Sequence, residues 1–129
     1  MILADTSAWV EFLRGTGSDV DARLRRLLER DELVTTDAVL MEVLAGARDA
    51  AHRDKLRALL ARCAFLPTEG PRDYEDAADM SRACRQAGDG VRGLTDCLIA
   101  SVAIRGDVPV LHSDADFDAL ARHTALALA

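Results

Sequence analysis

Aromatic side chains are scarce in this chain: one Trp, one Tyr and three Phe, 4% of 129 residues, leave the core to be built from aliphatic residues and alanine. Helices packed closely on a sheet suit such a core. Long apolar runs are also missing, since no segment approaches the ~20 residues that a membrane span needs. The N-terminal MILADTSAWV lacks the basic start and cleavage pattern of a secretory signal, so a cytoplasmic protein is expected. Cysteine is limited to Cys63, Cys84 and Cys97, an odd and widely spaced set that argues for small buried thiols rather than a disulfide framework. His52, His112 and His123 form no pair at metal-ligand spacing, which speaks against zinc. Lysine is nearly absent: of 16 basic residues all but Lys55 are arginine, the side chain best suited to bidentate phosphate contacts. A net charge of -6 argues against a protein that holds nucleic acid by bulk electrostatics alone, although acids clustered in one pocket would leave the remaining surface less acidic than the total suggests.

What is present is an alternation of short apolar runs with amphipathic helical stretches. Met1 to Ala4 reads as a strand, stopped by Asp5-Thr6-Ser7, which suit the cap of a helix carrying Trp9, Val10, Phe12 and Leu13. Core packing is the expected use of that apolar face, with a dimer or partner-binding groove as the alternative. Gly15 to Ser18 breaks the helix, and Val20, Leu24, Leu27 and Leu28 then recur at helical spacing. Leu33 to Thr35 predicts a second strand, Thr36-Asp37 starts the helix AVLMEVLAGA, and Leu56, Leu59 and Leu60 share one side of the next helix. Phe65 to Pro67 predicts a third strand, followed by a long helix from Pro71 to about Gly88. A helix opening at Leu94, a strand ending at Asp114, a helix to about Arg122 and an edge strand from Thr124 to Leu128 complete the pattern. Strands alternating with helices predict an α/β fold with a parallel sheet, in one domain spanning residues 1–129.

Four acids stand where acids are out of place. Asp5 is the only charge between Met1 and Val10, Glu42 between Ala38 and Ala47, and Asp96 between Gly93 and Ile104, while Asp114 closes the apolar run PVLHS. An acid on such a segment must reach solvent at an edge, find a cation, or be neutralised, because burying it unpaired costs several kcal/mol. Asp5 and Asp114 can each be explained as helix caps, and Asp96 as a first-turn acid favoured by the helix dipole. Glu42 lies inside an apolar helix, and its structural alternative is a buried ion pair with an arginine. One shared cause accounts for all four, namely a hard divalent cation such as Mg²⁺, which takes oxygen ligands from separate elements and keeps several waters.

Taken together, ILADTSAWVEFL, TTDAVLMEVLAGAR, LTDCLIASVAI and PVLHSDADFDAL resemble the PIN-domain proteins, specifically the VapC-type toxins of bacterial toxin–antitoxin pairs. The resemblance covers nearly the whole chain in the right order. It implies a parallel sheet of about five strands in the order 3-2-1-4-5, flanked by helices. It puts Asp5, Glu42, Asp96 and Asp114 at the family's acidic quartet, with Asp116 as an accessory acid, and Thr6 or Ser7 at the polar position after the first acid. It further implies Mg²⁺- or Mn²⁺-dependent endoribonuclease activity on structured RNA of the tRNA or rRNA class, inhibition by a cognate VapB-type antitoxin, and a homodimer.

On this reading Asp5, Asp96 and Asp114 hold one or two metal ions, Glu42 orients the attacking water, and the products carry 5′-phosphate and 3′-hydroxyl ends. Arg92, with Arg14 and Arg48, is the candidate phosphate contact, and ordinary surface arginines are the alternative. The rivals are a non-catalytic PIN-like module that binds RNA or an antitoxin, and a different metal-dependent phosphohydrolase. A haloacid-dehalogenase-like phosphatase fits poorly, since only 13 residues follow Asp116 and Lys55 is the sole lysine. The same shortage weakens a receiver domain. An EF-hand fails because Ala119 and Ala125 stand where glycine and glutamate are needed.

Overall fold

A computed structural model describes residues 1–129. Strand β1 (Ile2–Ala4) is short because Asp5, extended at φ −67° and ψ 161°, turns the chain and caps helix α1 (Thr6–Arg14) by accepting the Ser7 N–H. Gly15, at φ 60°, ends α1 in the left-handed conformation that suits glycine. Ser18 caps α2 (Asp19–Glu29) by accepting the Asp21 N–H, and Asp21 in return accepts the N–H of Gly17. Then follow β2 (Leu33–Thr35), α3 (Asp37–Ala45), α4 (Ala50–Leu60), β3 (Ala64–Phe65), α5 (Arg72–Gln86), α6 (Leu94–Arg105), β4 (Val110–Leu111) and α7 (Ala115–His123).

The sheet is parallel throughout, in the order β3-β2-β1-β4, with Leu3 opposite both Val34 and Val110 and Ala4 opposite Leu111. The expected fifth strand is reduced to a single parallel bridge between Val110 and Leu128, on the β4 side where the order 3-2-1-4-5 puts it. Val110 donates its N–H to Ala127 and accepts from Ala129, and the ladder stops there. The reason lies in β4. Pro109 has no N–H to donate, and after Leu111 the chain turns toward the N-cap of α7, so β4 offers an outer neighbour room for only one bridge.

Every strand is followed by a helix, so all strands end on the same edge of the sheet. β1 is flanked by β2, the next strand in the chain, and by β4, the last. The strand order therefore reverses at β1, and in an open α/β sheet the crevice outside the strand ends at such a point is where ligands bind. Asp5 follows β1 and Asp114 follows β4 at that place.

The core is aliphatic, with Trp9 and Phe117 its two large aromatic fillers, both fully buried. Half of α6 is buried, including Cys97, Ile99, Ala100, Val102 and Ala103, and its small residues admit close packing by α5. All three thiols are free. One buried ion pair ties α5 to α6: Asp73, fully buried, accepts from Arg105 Nε at 3.1 Å and Nη2 at 3.0 Å, from Ser101 Oγ and from the Glu69 N–H. Burial alone would push the Asp73 carboxyl up, but Arg105 and the Glu69 N–H outweigh it and hold the group below its ordinary range. No helix is long and apolar enough to cross a membrane.

Candidate active site

The site begins with the hydrogen bonding of Asp5. One carboxylate oxygen, Oδ2, accepts from the Ser7 N–H at 2.9 Å and from Ser7 Oγ at 2.6 Å. The other, Oδ1, is buried and has no partner at all, on a residue only 2% exposed. An unpartnered oxygen on a buried acid is costly, and it is the opening a ligand would fill. Ser7 also ties the two strand ends together, because its Oγ accepts from the Ser113 N–H at 2.8 Å while the Asp5 N–H donates to Leu111 O.

Asp114 caps α7, its Oδ1 accepting from the Asp116 N–H at 2.9 Å, and its own N–H donates to Nδ1 of His112 at 3.1 Å. Asp116 in turn accepts the Arg92 N–H on Oδ2 at 3.1 Å. Asp96 stands in the first turn of α6 after Gly93, where a Cβ would lie 3.4 Å from Asp96 Oδ2. Glycine there leaves the carboxylate room. Asp96, Asp114 and Asp116 each bring an oxygen within 4.8 Å of the others.

No cation offsets this concentration of charge, since none of Asp5, Glu42, Asp96, Asp114 and Asp116 takes part in an ion pair. The cost falls on protonation. Burial first, then the charges of Asp5 and Asp114, push the Asp96 carboxyl from 3.8 up to about 8. Asp5 is raised too, because burial outweighs its bonds from Ser7 and Asp114 adds to the repulsion. An oxygen-only donor set, a bare buried oxygen and carboxylates driven toward protonation fit a hard divalent cation.

Glu42 stands back from the carboxylate cluster. Its Oε1 accepts from Thr6 Oγ1 at 2.8 Å, so a hydroxyl one residue beyond Asp5, rather than an arginine, holds it. It lines a groove of about 340 Å³ between α1, α3 and α4, together with Trp9, Leu13, Arg14 and Arg48. The apolar face of α1 is thus divided: Trp9 is fully buried, Phe12 packs on the core, and Leu13 is exposed. Both hydroxyls of Thr6 and Ser7 are engaged inside the protein, and the Arg92 side chain is exposed beside the cluster. Ser113 escaped sequence reasoning. The signal available was the serine flanking an acid at each strand end, in DTS and HSD.

Residues 2–123 match the family model described as PIN domain. The chain is 43% identical to ribonuclease VapC11 of Mycobacterium tuberculosis, covering 98% of this chain and 96% of that protein. It is 31% identical to ribonuclease VapC32 of the same species, covering 100% and 97%. Among solved structures, VapBC2 of Rickettsia felis bound to a promoter DNA fragment superposes with a TM-score of 0.77 at 21% identity, over 100% of this chain and 98% of that one. With the acids gathered at the switch point of a parallel sheet and these relatives matched end to end, the chain belongs to the PIN domain family and, within it, groups with the VapC ribonucleases.

Proposed function

We propose that this protein is the toxin of a toxin–antitoxin pair and acts as a metal-dependent endoribonuclease on structured RNA of the tRNA or rRNA class. The observation that carries the reading is the cation-free acid cluster with the bare Oδ1 of Asp5 beside it. Asp5, Asp96 and Asp114 are the residues to hold Mg²⁺, or Mn²⁺ in its place, with Asp116 as an accessory acid. When bound, the ion supplies positive charge to the scissile phosphate and makes a water acidic enough to attack at neutral pH.

The chain's own residues do the rest. Ser7 fixes the Asp5 carboxylate through two bonds to Oδ2 and so leaves Oδ1 without a protein partner, free to accept a ligand. Thr6 holds Glu42 by one oxygen, which leaves the other to accept a proton from the water it orients. Arg92, exposed next to Asp116, is positioned to contact a phosphate, and Arg14 and Arg48 extend a basic path along the groove. A cognate VapB-type antitoxin is the partner that silences the enzyme, in keeping with the VapBC and other toxin–antitoxin complexes among the structures that share this fold. Tyr74 and Leu94 are large, more than half exposed and line one mostly apolar groove between α5 and α6, and this is the surface we assign to a homodimer. The RNA substrate puts its action in the cytoplasm.

The test is cleavage of purified tRNA and rRNA by wild type and by Asp114→Asn, with Mg²⁺ and with chelator. Chelation should abolish cleavage, and Asp114→Asn should lower it by more than about a hundredfold, beyond what loss of an outer-shell partner costs. Products must carry 5′-phosphates, read by a 5′-phosphate-dependent exonuclease. A 2′,3′-cyclic phosphate overturns the mechanism, and RNA binding without cleavage would make the protein a non-catalytic module.

A further inference from the structure

The loop between α5 and α6 runs beside α7 and is fastened to it at two points. At one end, the Asp89 carboxylate receives three nitrogens on a single oxygen: Arg122 Nε and Nη2, each at 2.8 Å, and His123 Nε2 at 3.0 Å. At the other end, the Arg92 N–H donates to Asp116 Oδ2 at 3.1 Å. Arg122 and His123 close the last turn of α7, and Asp116 belongs to its first. The two fastenings match in length. Six or seven helical residues rise about 10 Å, and three extended residues from Asp89 to Arg92 span about the same.

Between these points Val91 packs against the core, and Gly93 follows as the N-cap of α6, immediately before the turn that carries Asp96. The loop therefore links the far end of α7 to the two helix starts that bear Asp96 and Asp116. Nothing in the chemistry assigned above uses Asp89, Arg122 or His123. Arg122 first, and then His123, holds the Asp89 carboxyl below the ordinary range, so the Asp89–Arg122 contact is between charged groups.

We propose that Asp89, Arg122 and His123 are positioning residues, a latch that keeps loop 89–93 extended along α7 so that the Arg92 N–H aims the Asp116 carboxylate at the metal site. The inference rests on the reading of that site as a metal centre. Releasing the latch lets the loop swing from α7, and Asp116 then loses the donor that orients its Oδ2. Metal affinity falls even though every acid is still present.

The experiment titrates Mn²⁺ alone into the folded protein, with free ion read by electron paramagnetic resonance and melting temperature measured alongside. Wild type, Asp89→Ala, Arg122→Gln, the double variant and Asp114→Asn are compared. Asp89→Ala should weaken Mn²⁺ binding about tenfold, the low end of what an outer-shell partner contributes. Arg122→Gln should weaken it similarly, and the double variant no more than the larger single change, since one latch is broken in all three. If Asp89→Ala fails to fold, Arg122→Gln carries the same readouts. Wild-type affinity in both single variants overturns the latch, as does a lower melting temperature with unchanged Mn²⁺ binding. Failure of wild type itself to bind Mn²⁺, or binding undiminished in Asp114→Asn, sinks the metal-site reading instead.

Discussion

Replacing Asp96 by asparagine separates what the acid cluster costs the fold from what it does for chemistry. In the metal-free protein the Asp96 carboxyl is pushed up from 3.8 to about 8 by burial and by the charges of Asp5 and Asp114. A carboxyl raised in the folded state binds a proton there that the unfolded chain has already released, so it subtracts stability. The loss begins as pH rises through the unfolded value and grows until pH reaches the folded one. At pH 7 the full linkage would be about 4 kcal/mol. Asp96 is only partly buried, and solvent screening reduces this to about 1–2 kcal/mol. Asparagine keeps the shape and discards the charge. Chelator-treated Asp96→Asn should therefore melt higher than wild type at about pH 7.5, by roughly 3–8 °C for a domain of this size. The gap should shrink toward pH 4 and close below about pH 3, where the carboxyl is protonated in the folded and the unfolded state alike. Saturating Mg²⁺ should reverse the order, because only wild type gains the binding free energy of the ion. Calorimetry at the two pH values decides the matter. An Asp96→Asn protein that is less stable at pH 7.5 without metal, or a gap that does not shrink in acid, would refute the account of the cluster as a set of mutually repelling carboxylates.

Two further outcomes follow from the contacts described. Thr6→Val removes the hydroxyl that holds Glu42 Oε1 while keeping the volume, and should lower the cleavage rate about tenfold with little change in Mn²⁺ affinity, read by single-turnover kinetics beside a metal titration. Arg105→Met leaves Asp73 fully buried without its cation and should cost about 3–5 kcal/mol in denaturant unfolding, a loss that Asp73→Asn in the same chain should partly restore.

Much of the site was visible in the sequence because an acid in an apolar setting is physically expensive, and Asp5, Glu42, Asp96 and Asp114 each interrupt such a setting. The strands were also legible to within a residue or two from short apolar runs between helical stretches, whereas their order came only with the family resemblance. Asp116 was harder to place. From sequence it is one of several acids in DADFD, whereas the turn of α7 carries its carboxylate to within 4.8 Å of Asp96 and Asp114. Thr6 and Ser7 read only as the polar position after the first acid, because their long-range partners, Glu42, 36 residues away, and Ser113, 106 residues away, are met only in three dimensions. The fifth strand was over-read. TALALA alternates as a strand does, but its pairing depends on how much of β4 is free to receive it, which no local pattern records.

In chain order β1 comes before the other strands, and one of its two neighbours in the sheet, β4, comes after them. Asp5 thus waits more than a hundred residues for Asp114 and for the Ser113 N–H that Ser7 binds. At about 5–20 residues per second of synthesis, the nascent chain spends several seconds with half of its acids and no strand β4 to align them. A nascent chain that has not yet made β4 therefore lacks the aligned acids, and the site is assembled only once residues 110–116 have been synthesised.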